Sequence, residues 1–191
     1  MTEQGIGASV RRKEDKRFLI GKGNYTDDIN VAGQTHAVFV RSPHAHAEIK
    51  GIDTSAAIAA PGVVAVLTGE DLAADGIGPL ICGVTVTSDD GEPHRAPAHP
   101  ALAQGKVNYV GDHIAIVIAE SKSEARDAAE LVDVDYNVLP AITGTRSAAD
   151  PGQQQIHEVA PDNVCFNWPF GDKDGVEAAF ANAHKVSKLD L

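Results

Sequence analysis

Residues 113–136 constrain the fold of this chain most strongly, because they carry three signals of regular structure in succession. Residues 113–119 are an apolar run that is short enough for a buried strand. The spacing of Ser121 and Glu124 is that of a capping box, and it predicts the start of a helix. The apolar face of that helix consists of Ala125, Ala128, Ala129 and Val132. Apolar and acidic residues then alternate over 132–136, which predicts a strand with one solvent-exposed face. Together the strand, helix and strand form a compact α/β unit.

Three further strands are predicted upstream of this unit. Residues 35–41 are rich in strand-forming side chains and end before Pro43, and a second short strand covers residues 47–52. A continuous apolar run at 63–67 predicts a strand that is buried on both faces.

Shorter helices are predicted around these strands. A side-chain oxygen of Asp53 or Thr54 can cap a helix over 55–60, and the spacing of Thr68 and Asp71 predicts a second capping box with a brief helical turn. Near the C-terminal end, Asp174 and Glu177 are expected to cap a last helix, and residues 186–191 are expected to begin another strand. The apolar face of the last helix consists of Val176, Ala179, Phe180 and Ala183.

Three segments have the composition of irregular structure. Residues 1–33 are polar and rich in glycine, residues 74–100 form a long loop with several prolines and glycines, and residues 140–169 are a connector. A loop as long as 74–100 inside a compact domain is usually a working surface or an interface.

Composition and charge exclude several classes of function. The formal charge of -11 argues against a nucleic-acid-binding protein. Cys82 and Cys165 are far apart and lack the spacing of a zinc, iron–sulfur or thioredoxin motif, so two reduced thiols are expected. The pair Arg11-Arg12 is followed by more charged residues instead of the apolar run of an export signal, and no stretch has the length of a membrane helix. We therefore predict a cytoplasmic protein.

His44 and His46 are the most specific metal candidates, because residues two apart in an extended segment face the same side. The sequence offers no third ligand at a suitable spacing, so structural or interface histidines are the favoured interpretation. The acidic pairs Asp89-Asp90 and Asp133-Asp135 are expected to be ionised surface carboxylates.

Other catalytic motifs are weak or absent. The Gly5-Ile6-Gly7 segment resembles the start of a dinucleotide-binding motif but follows no strand, and the Gly21-Lys22-Gly23 segment is expected to be a turn. No catalytic triad, nucleophile elbow or phosphate-binding loop appears in the sequence. On its residues alone, the chain is interpreted as a non-catalytic α/β module.

A set of short sequence motifs occupies residues 12–19, 21–28, 39–47, 52–54, 61–63, 66–69, 106–111, 128–132, 134–136 and 139–140. In their order and at their intervals, these motifs resemble the N-terminal region of the large subunits of molybdenum hydroxylases, the xanthine dehydrogenase/aldehyde oxidase family that includes carbon monoxide dehydrogenases. Asn108 and Asp112 depart from the family pattern, since relatives usually have arginine and glutamate there. The resemblance covers the chain from about residue 5 onwards.

The resemblance implies an α/β (α+β) fold, the α/β hammerhead domain, over residues 34–139. Residues 1–33 are then an N-terminal extension, and residues 140–191 are a connector and the start of the molybdenum-binding domain. The full subunit is expected to hold a molybdenum–pterin cytosine dinucleotide, with [2Fe-2S] clusters and FAD on partner subunits or domains. The family's catalytic, cofactor-binding and metal-binding residues lie beyond this sequence, so no site residue is carried over and no cofactor is expected on this chain alone.

Three hypotheses of function follow. The first is a catalytically inactive N-terminal part of a molybdenum hydroxylase large subunit, which contacts the other molybdenum-binding domains and the iron–sulfur and FAD subunits. The second is a stand-alone hammerhead module for interaction or assembly, in which the 74–100 loop and the last strand are docking surfaces. The third is a metal site around His44 and His46.

Overall fold

The computed structural model describes Gly5, Gly7 and residues 9–189, which fall into two compact units. The first unit, Met1–Thr35, contains a short helix α1 (Asp15–Leu19) and a 3₁₀ turn (Thr26–Asp28). Neither element buries a residue, and the rings of Phe18 and Tyr25 stack with centroids 5.6 Å apart. The predicted turn at Gly21 is confirmed, since this residue lies in a turn with a φ of 71°.

The second unit, His36–Leu191, contains two three-stranded antiparallel sheets among its described residues. In chain order its elements are β1 (His36–Arg41), β2 (Ala47–Asp53), α2 (Ser55–Ile58), β3 (Val63–Thr68), α3 (Gly69–Ala74), β4 (Lys106–Val107), β5 (His113–Ala119), α4 (Lys122–Ala129), β6 (Asp133–Val138) and α5 (Lys173–Ala181). The predicted helical and strand positions up to residue 138 are confirmed with three exceptions: α2 ends two residues early, β1 begins one residue late, and Val132, predicted for both the helix and the next strand, lies between α4 and β6. The mixture of helices with antiparallel sheets confirms the predicted α+β class.

The first sheet has the order β1-β5-β3 and is covered on one face by α2 and α4. Its core consists of Ala57, Val66, Val117 and Ala128. The small alanine side chains allow the two helices to lie close to the strands. Ser121 caps α4 as predicted, because its Oγ accepts the N–H of Glu124 at 3.2 Å and donates to the Glu124 carboxylate at 2.7 Å.

The second sheet has the order β4-β2-β6 and packs around a separate apolar cluster. The cluster consists of Ala47, Ala103, Val107 and Ile114, with Ile49, Ile52, Val134 and Tyr136 packed against it. The alternation predicted at 132–136 is confirmed, because Val134 and Tyr136 are half-buried while Asp133 and Asp135 are exposed.

The two strands of the predicted α/β unit lie in different sheets: β5 is central in the first, whereas β6 pairs with β2 in the second. The helix α4 therefore connects two sheets instead of crossing over within one. The segment from β5 to β6 therefore contributes side chains to the apolar clusters of both sheets.

The prediction that residues 63–67 are buried on both faces is wrong. The strand β3 is an edge strand of an antiparallel sheet, with Val64 60% and Leu67 37% exposed. A continuous apolar run is typical of strands covered on both faces, and here only one face is covered within the described chain.

Two predictions for the C-terminal region are also wrong. The cap of α5 is Asp172, whose Oδ1 accepts the N–H of Gly175 at 2.9 Å, and not Asp174 or Glu177. Residues 186–189 are not a strand, because no strand within the described range pairs with them; residues 190 and 191 lie outside the described residues. The predicted helix itself is confirmed, although none of its residues is buried.

The long loop after α3 and the connector after β6 are irregular, as predicted. Between Ala74 and Lys106 the described structure has only one isolated bridge, from Thr87 to Pro93. The connector holds two 3₁₀ turns, Ser147–Ala149 and Pro161–Asn163. No helix within the described range has both the length and the apolar character that a membrane crossing requires.

Candidate functional site

A cleft of about 780 Å³ opens between two parts of the long loop, 76–79 and 97–100, and the turn that joins β4 to β5. Its wall mixes alanine, glycine and proline with a set of polar side chains. These are His99, Gln104, Lys106, Asn108, Tyr109, Asp112 and His157.

The turn from Asn108 to Asp112 is held by hydrogen bonds within itself and to the end of β1. The carboxylate of Asp112, which is 7% exposed, accepts the N–H of Asn108 at 3.1 Å. The N–H of Ser42 donates to the Asp112 carbonyl, and the Ser42 carbonyl accepts from the N–H of Gly111, both at 2.8 Å. Gly111 has a φ of 91°, a conformation that favours glycine. The polar side of the cleft is therefore fixed to a strand.

Tyr109 and His99 face each other within the cleft. The Tyr109 hydroxyl lies 3.3 Å from Nε2 of His99. Burial raises the pKa of Tyr109, and the nearby carboxylate of Asp112 raises this pKa further. The phenol is therefore protonated at neutral pH, and its O–H can donate to the imidazole.

Two histidines near this turn have a lowered pKa. Burial lowers the pKa of His157, which lines the cleft, and His46 and Lys106 lower this pKa further. Burial and then Arg41 lower the pKa of His113. A neutral imidazole can accept or donate a hydrogen bond, so the His157 ring gives the cleft a polar group without adding a charge.

The metal hypothesis for His44 and His46 finds no third ligand. Among the described residues, no group of three or more His, Cys, Asp or Glu side chains could hold a metal ion. The chain bends between Ser42 and His46, so the two histidines do not share an extended segment. The ring of His44 packs edge-on against Tyr136, whereas Nδ1 of His46, which is 1% exposed, lies 2.9 Å from the Pro140 carbonyl. Each ring therefore makes a separate contact within the second unit.

The other sequence candidates are dispersed over the surface. The predicted exposure of both acidic pairs is confirmed. Asp89 accepts a hydrogen bond from Asn167 and Asp90 pairs with Arg95. Cys82 and Cys165 are free thiols. Gly5 and Gly7 are described, but Ile6 lies outside the described residues, so the expectation that this segment is not a dinucleotide-binding motif stays a prediction.

Residues 20–140 match the family model described as the aldehyde oxidase and xanthine dehydrogenase, a/b hammerhead domain. The chain belongs to this family. It is 41% identical to the carbon monoxide dehydrogenase large chain of Afipia carboxidovorans over 97% of its own length and 23% of that protein. It is 42% identical to the nicotine 6-hydroxylase large subunit of Paenarthrobacter nicotinovorans, over 99% of this chain and 22% of that subunit.

The solved structures show the same relationship. The chain is similar to the aldehyde oxidoreductase of Desulfovibrio gigas, with a TM-score of 0.74 and 34% identity over 91% of this chain and 19% of that one. The hammerhead fold inferred from the resemblance is therefore confirmed. The chain spans less than a quarter of the length of each of these three proteins.

The lining of the cleft in this hammerhead chain shows no specific fit to the family's molybdenum–pterin cofactor. The cleft is lined on one side by Pro79, Pro97 and Pro100, which have no N–H to offer a phosphate or a pterin. The described side chains also lack a metal-ligating group of three. No chemical step at that cofactor is assigned to these residues.

Sequence reasoning did not identify the polar lining of the cleft. In the sequence, Asn108 and Asp112 stand out only because they depart from the family pattern. His99 and His157 are 58 positions apart (157 − 99) and share no motif, so only the tertiary fold brings them to one cleft. The one local signal was the Gly111-Asp112 pair between two strands, which is typical of a tight, side-chain-stabilised turn.

Proposed function

We propose that this chain is the hammerhead-bearing N-terminal part of the large, molybdenum-carrying subunit of a hydroxylase of the carbon monoxide, aldehyde or xanthine dehydrogenase type. The observation that carries the proposal is the identity of 41% and 42% to two large subunits over 97% and 99% of the chain. In this proposal the hammerhead has a structural role, and catalysis belongs to other parts of the subunit.

The proposed organisation follows the family. Residues 1–33 are an extension, residues 34–139 are the hammerhead, and residues 140–191 lead into the molybdenum-binding domain. The molybdenum–pterin cytosine dinucleotide is bound by the other large-subunit domains, and iron–sulfur and FAD subunits are the electron-transfer partners. The proposed location is the cytoplasm.

The surface of the C-terminal region supports a role within a larger assembly. No residue of α5 is buried, and Phe180 on this helix is 61% exposed. Trp168 and Phe170, which precede the helix, are exposed as well. A short helix gains most of its stability from tertiary packing, and neighbouring exposed aromatic rings such as those of Trp168 and Phe170 mark an interaction surface.

The proposal is tested by expressing the longer polypeptide, in which the open reading frame continues past codon 191. The neighbouring iron–sulfur and flavin subunits are expressed with it. We expect the purified complex to contain molybdenum by mass spectrometry and to reduce a dye with CO, an aldehyde or a purine. The 191-residue chain alone is the control and should be inactive. Turnover by that chain alone, or a longer polypeptide without molybdenum, would contradict the proposal.

A further inference from the structure

The first sheet presents an open apolar face opposite α2 and α4. The strand register places two rows of paired side chains on this face, Ala37–Ile118–Ala65 and Phe39–Ile116–Leu67. Directly paired residues of neighbouring antiparallel strands point to the same side of the sheet. All six side chains are apolar, and Phe39 is still 41% exposed.

This face has the chemistry of a covered surface. A sheet with one solvated face normally alternates apolar and polar residues, whereas β5 is apolar on both faces from Ile114 to Ala119. At one end of the face the His113 ring stacks on Phe39 with centroids 4.4 Å apart. Burial lowers the pKa of His113, and the charged guanidinium of Arg41 lowers this pKa further, so the imidazole that stacks on Phe39 adds no charge of its own to the face at neutral pH.

The dimensions of the face favour a single helix as its cover. Three strands spaced by about 4.8 Å and two rows of side chains give a footprint of about 200 Å². A stable dimer of separate chains buries about 800 Å² per partner, so a second copy of this chain would gain too little from this face. One α-helix, about 10 Å across, spans the three strands and matches the helical layer on the other side.

We infer that this face binds an amphipathic helix from the part of the large-subunit polypeptide that lies outside these 191 residues. The inference rests on the proposed function, because related large subunits are more than four times as long as this chain. A helix in the same polypeptide is held at high effective concentration, so a small apolar face is sufficient to bind it. Its contacting side should be aliphatic and free of charge.

The test uses single-cysteine variants in which Cys82 and Cys165 are replaced by serine. Leu67→Cys places a thiol on the open face, and Ile58→Cys is the matched control, because Ile58 is an exposed apolar residue of α2 on the helical side of the sheet. Maleimide labelling rates are measured in the 191-residue chain and in the longer polypeptide, expressed without partner subunits. We expect labelling of the Leu67→Cys variant to be at least about tenfold slower in the longer polypeptide, with a smaller change for the control.

Three results would overturn the inference. The first is an unchanged labelling rate at Leu67→Cys in a longer polypeptide that binds molybdenum, which would leave the proposed function intact. The second is protection that appears only when partner subunits are added. The third is protection in the 191-residue chain that increases with protein concentration, which would assign the face to a second copy. Hydrogen exchange of β3 in the unsubstituted proteins provides the same comparison if a variant does not fold.

Discussion

Single carboxylates fix the start of several elements in this chain. Oδ2 of Asp71 accepts the N–H of Thr68 at 2.7 Å and its hydroxyl at 2.8 Å. Oδ1 of Asp53 accepts the N–H of Ser55 at 2.9 Å. These hydrogen bonds lower the pKa of both carboxyl groups. Because α2 and α3 are short, their first turns depend on the ionised carboxylates that accept these hydrogen bonds.

Replacing Asp71 with asparagine should lower the free energy of unfolding by about 1 kcal/mol at pH 7. The pKa of Asp71 is lower in the folded state than in the unfolded chain, so its contribution is complete above about pH 5 and is lost as the pH falls through the folded-state pKa. Urea unfolding of both proteins between pH 7 and pH 3 measures this. Glu70→Gln, on the same turn, is the control; a difference that persists unchanged at low pH would contradict the prediction.

Because Gly69 has no Cβ, the first residue of α3 can lie close to the backbone of Ala103, which follows the long loop. A Cβ at this position would collide with the carbonyl oxygen of Ala103. Gly69→Ala should therefore lower the free energy of unfolding by about 1–3 kcal/mol, as overpacking does elsewhere. Gly51→Ala is the control, because a Cβ at Gly51 meets nothing within 4 Å. Equal thermal midpoints for the two variants would show that the contact is not tight.

At the scale of elements, α5 differs from α4 in what stabilises it. The alanines of α4 pack in the first sheet's core, whereas α5 buries no residue and relies on its cap. Asp172→Ala should destabilise α5 by about 1 kcal/mol, visible as a loss of helical Cα chemical shifts over 173–181. Asp174→Ala should have a smaller effect, since its carboxylate acts only through the helix dipole. A larger loss of helix for Asp174→Ala than for Asp172→Ala would instead favour Asp174, the cap expected from the sequence.

At the scale of the whole second unit, the connector is joined to the long loop by backbone and side-chain hydrogen bonds. The N–H of Asp89 donates to the Asn167 carbonyl and the N–H of Arg95 to the Cys165 carbonyl, both at 2.9 Å. Oγ of Ser88 accepts the Asn167 N–H at 3.0 Å, and the Asn167 amide donates to Asp89 at 2.7 Å. Two irregular segments far apart in sequence therefore stabilise each other.

Asn167→Ala should accelerate hydrogen exchange of residues 86–95 by about tenfold, because it removes the side-chain hydrogen bond to Asp89 that helps to hold the loop. Asn182→Ala is the matched control, since its side chain donates only to Ala178 within the α5 region. Mass spectrometry of peptides from both proteins provides the measurement. Equal exchange in the two variants would show that the loop is held by its own bridge from Thr87 to Pro93.

The sequence determined most of the local structure. Periodicity and caps identified the strands and helices around the 113–136 segment, because hydrophobic spacing and helix starts depend on neighbouring residues. It also indicated the family, through motifs spread over nearly the whole chain. These features need no knowledge of which strand pairs with which.

Only the tertiary structure decided which strands pair and which faces are covered. The separation of β5 and β6 into two sheets, the open face of β3 and the absence of a strand at 186–189 depend on what lies beside each segment. The same holds for the cleft, which is lined by His99 from the long loop, Tyr109 from the turn before β5 and His157 from the connector. Periodicity reports that a residue has an apolar or polar side, whereas pairing and coverage are set by contacts between distant parts of the chain.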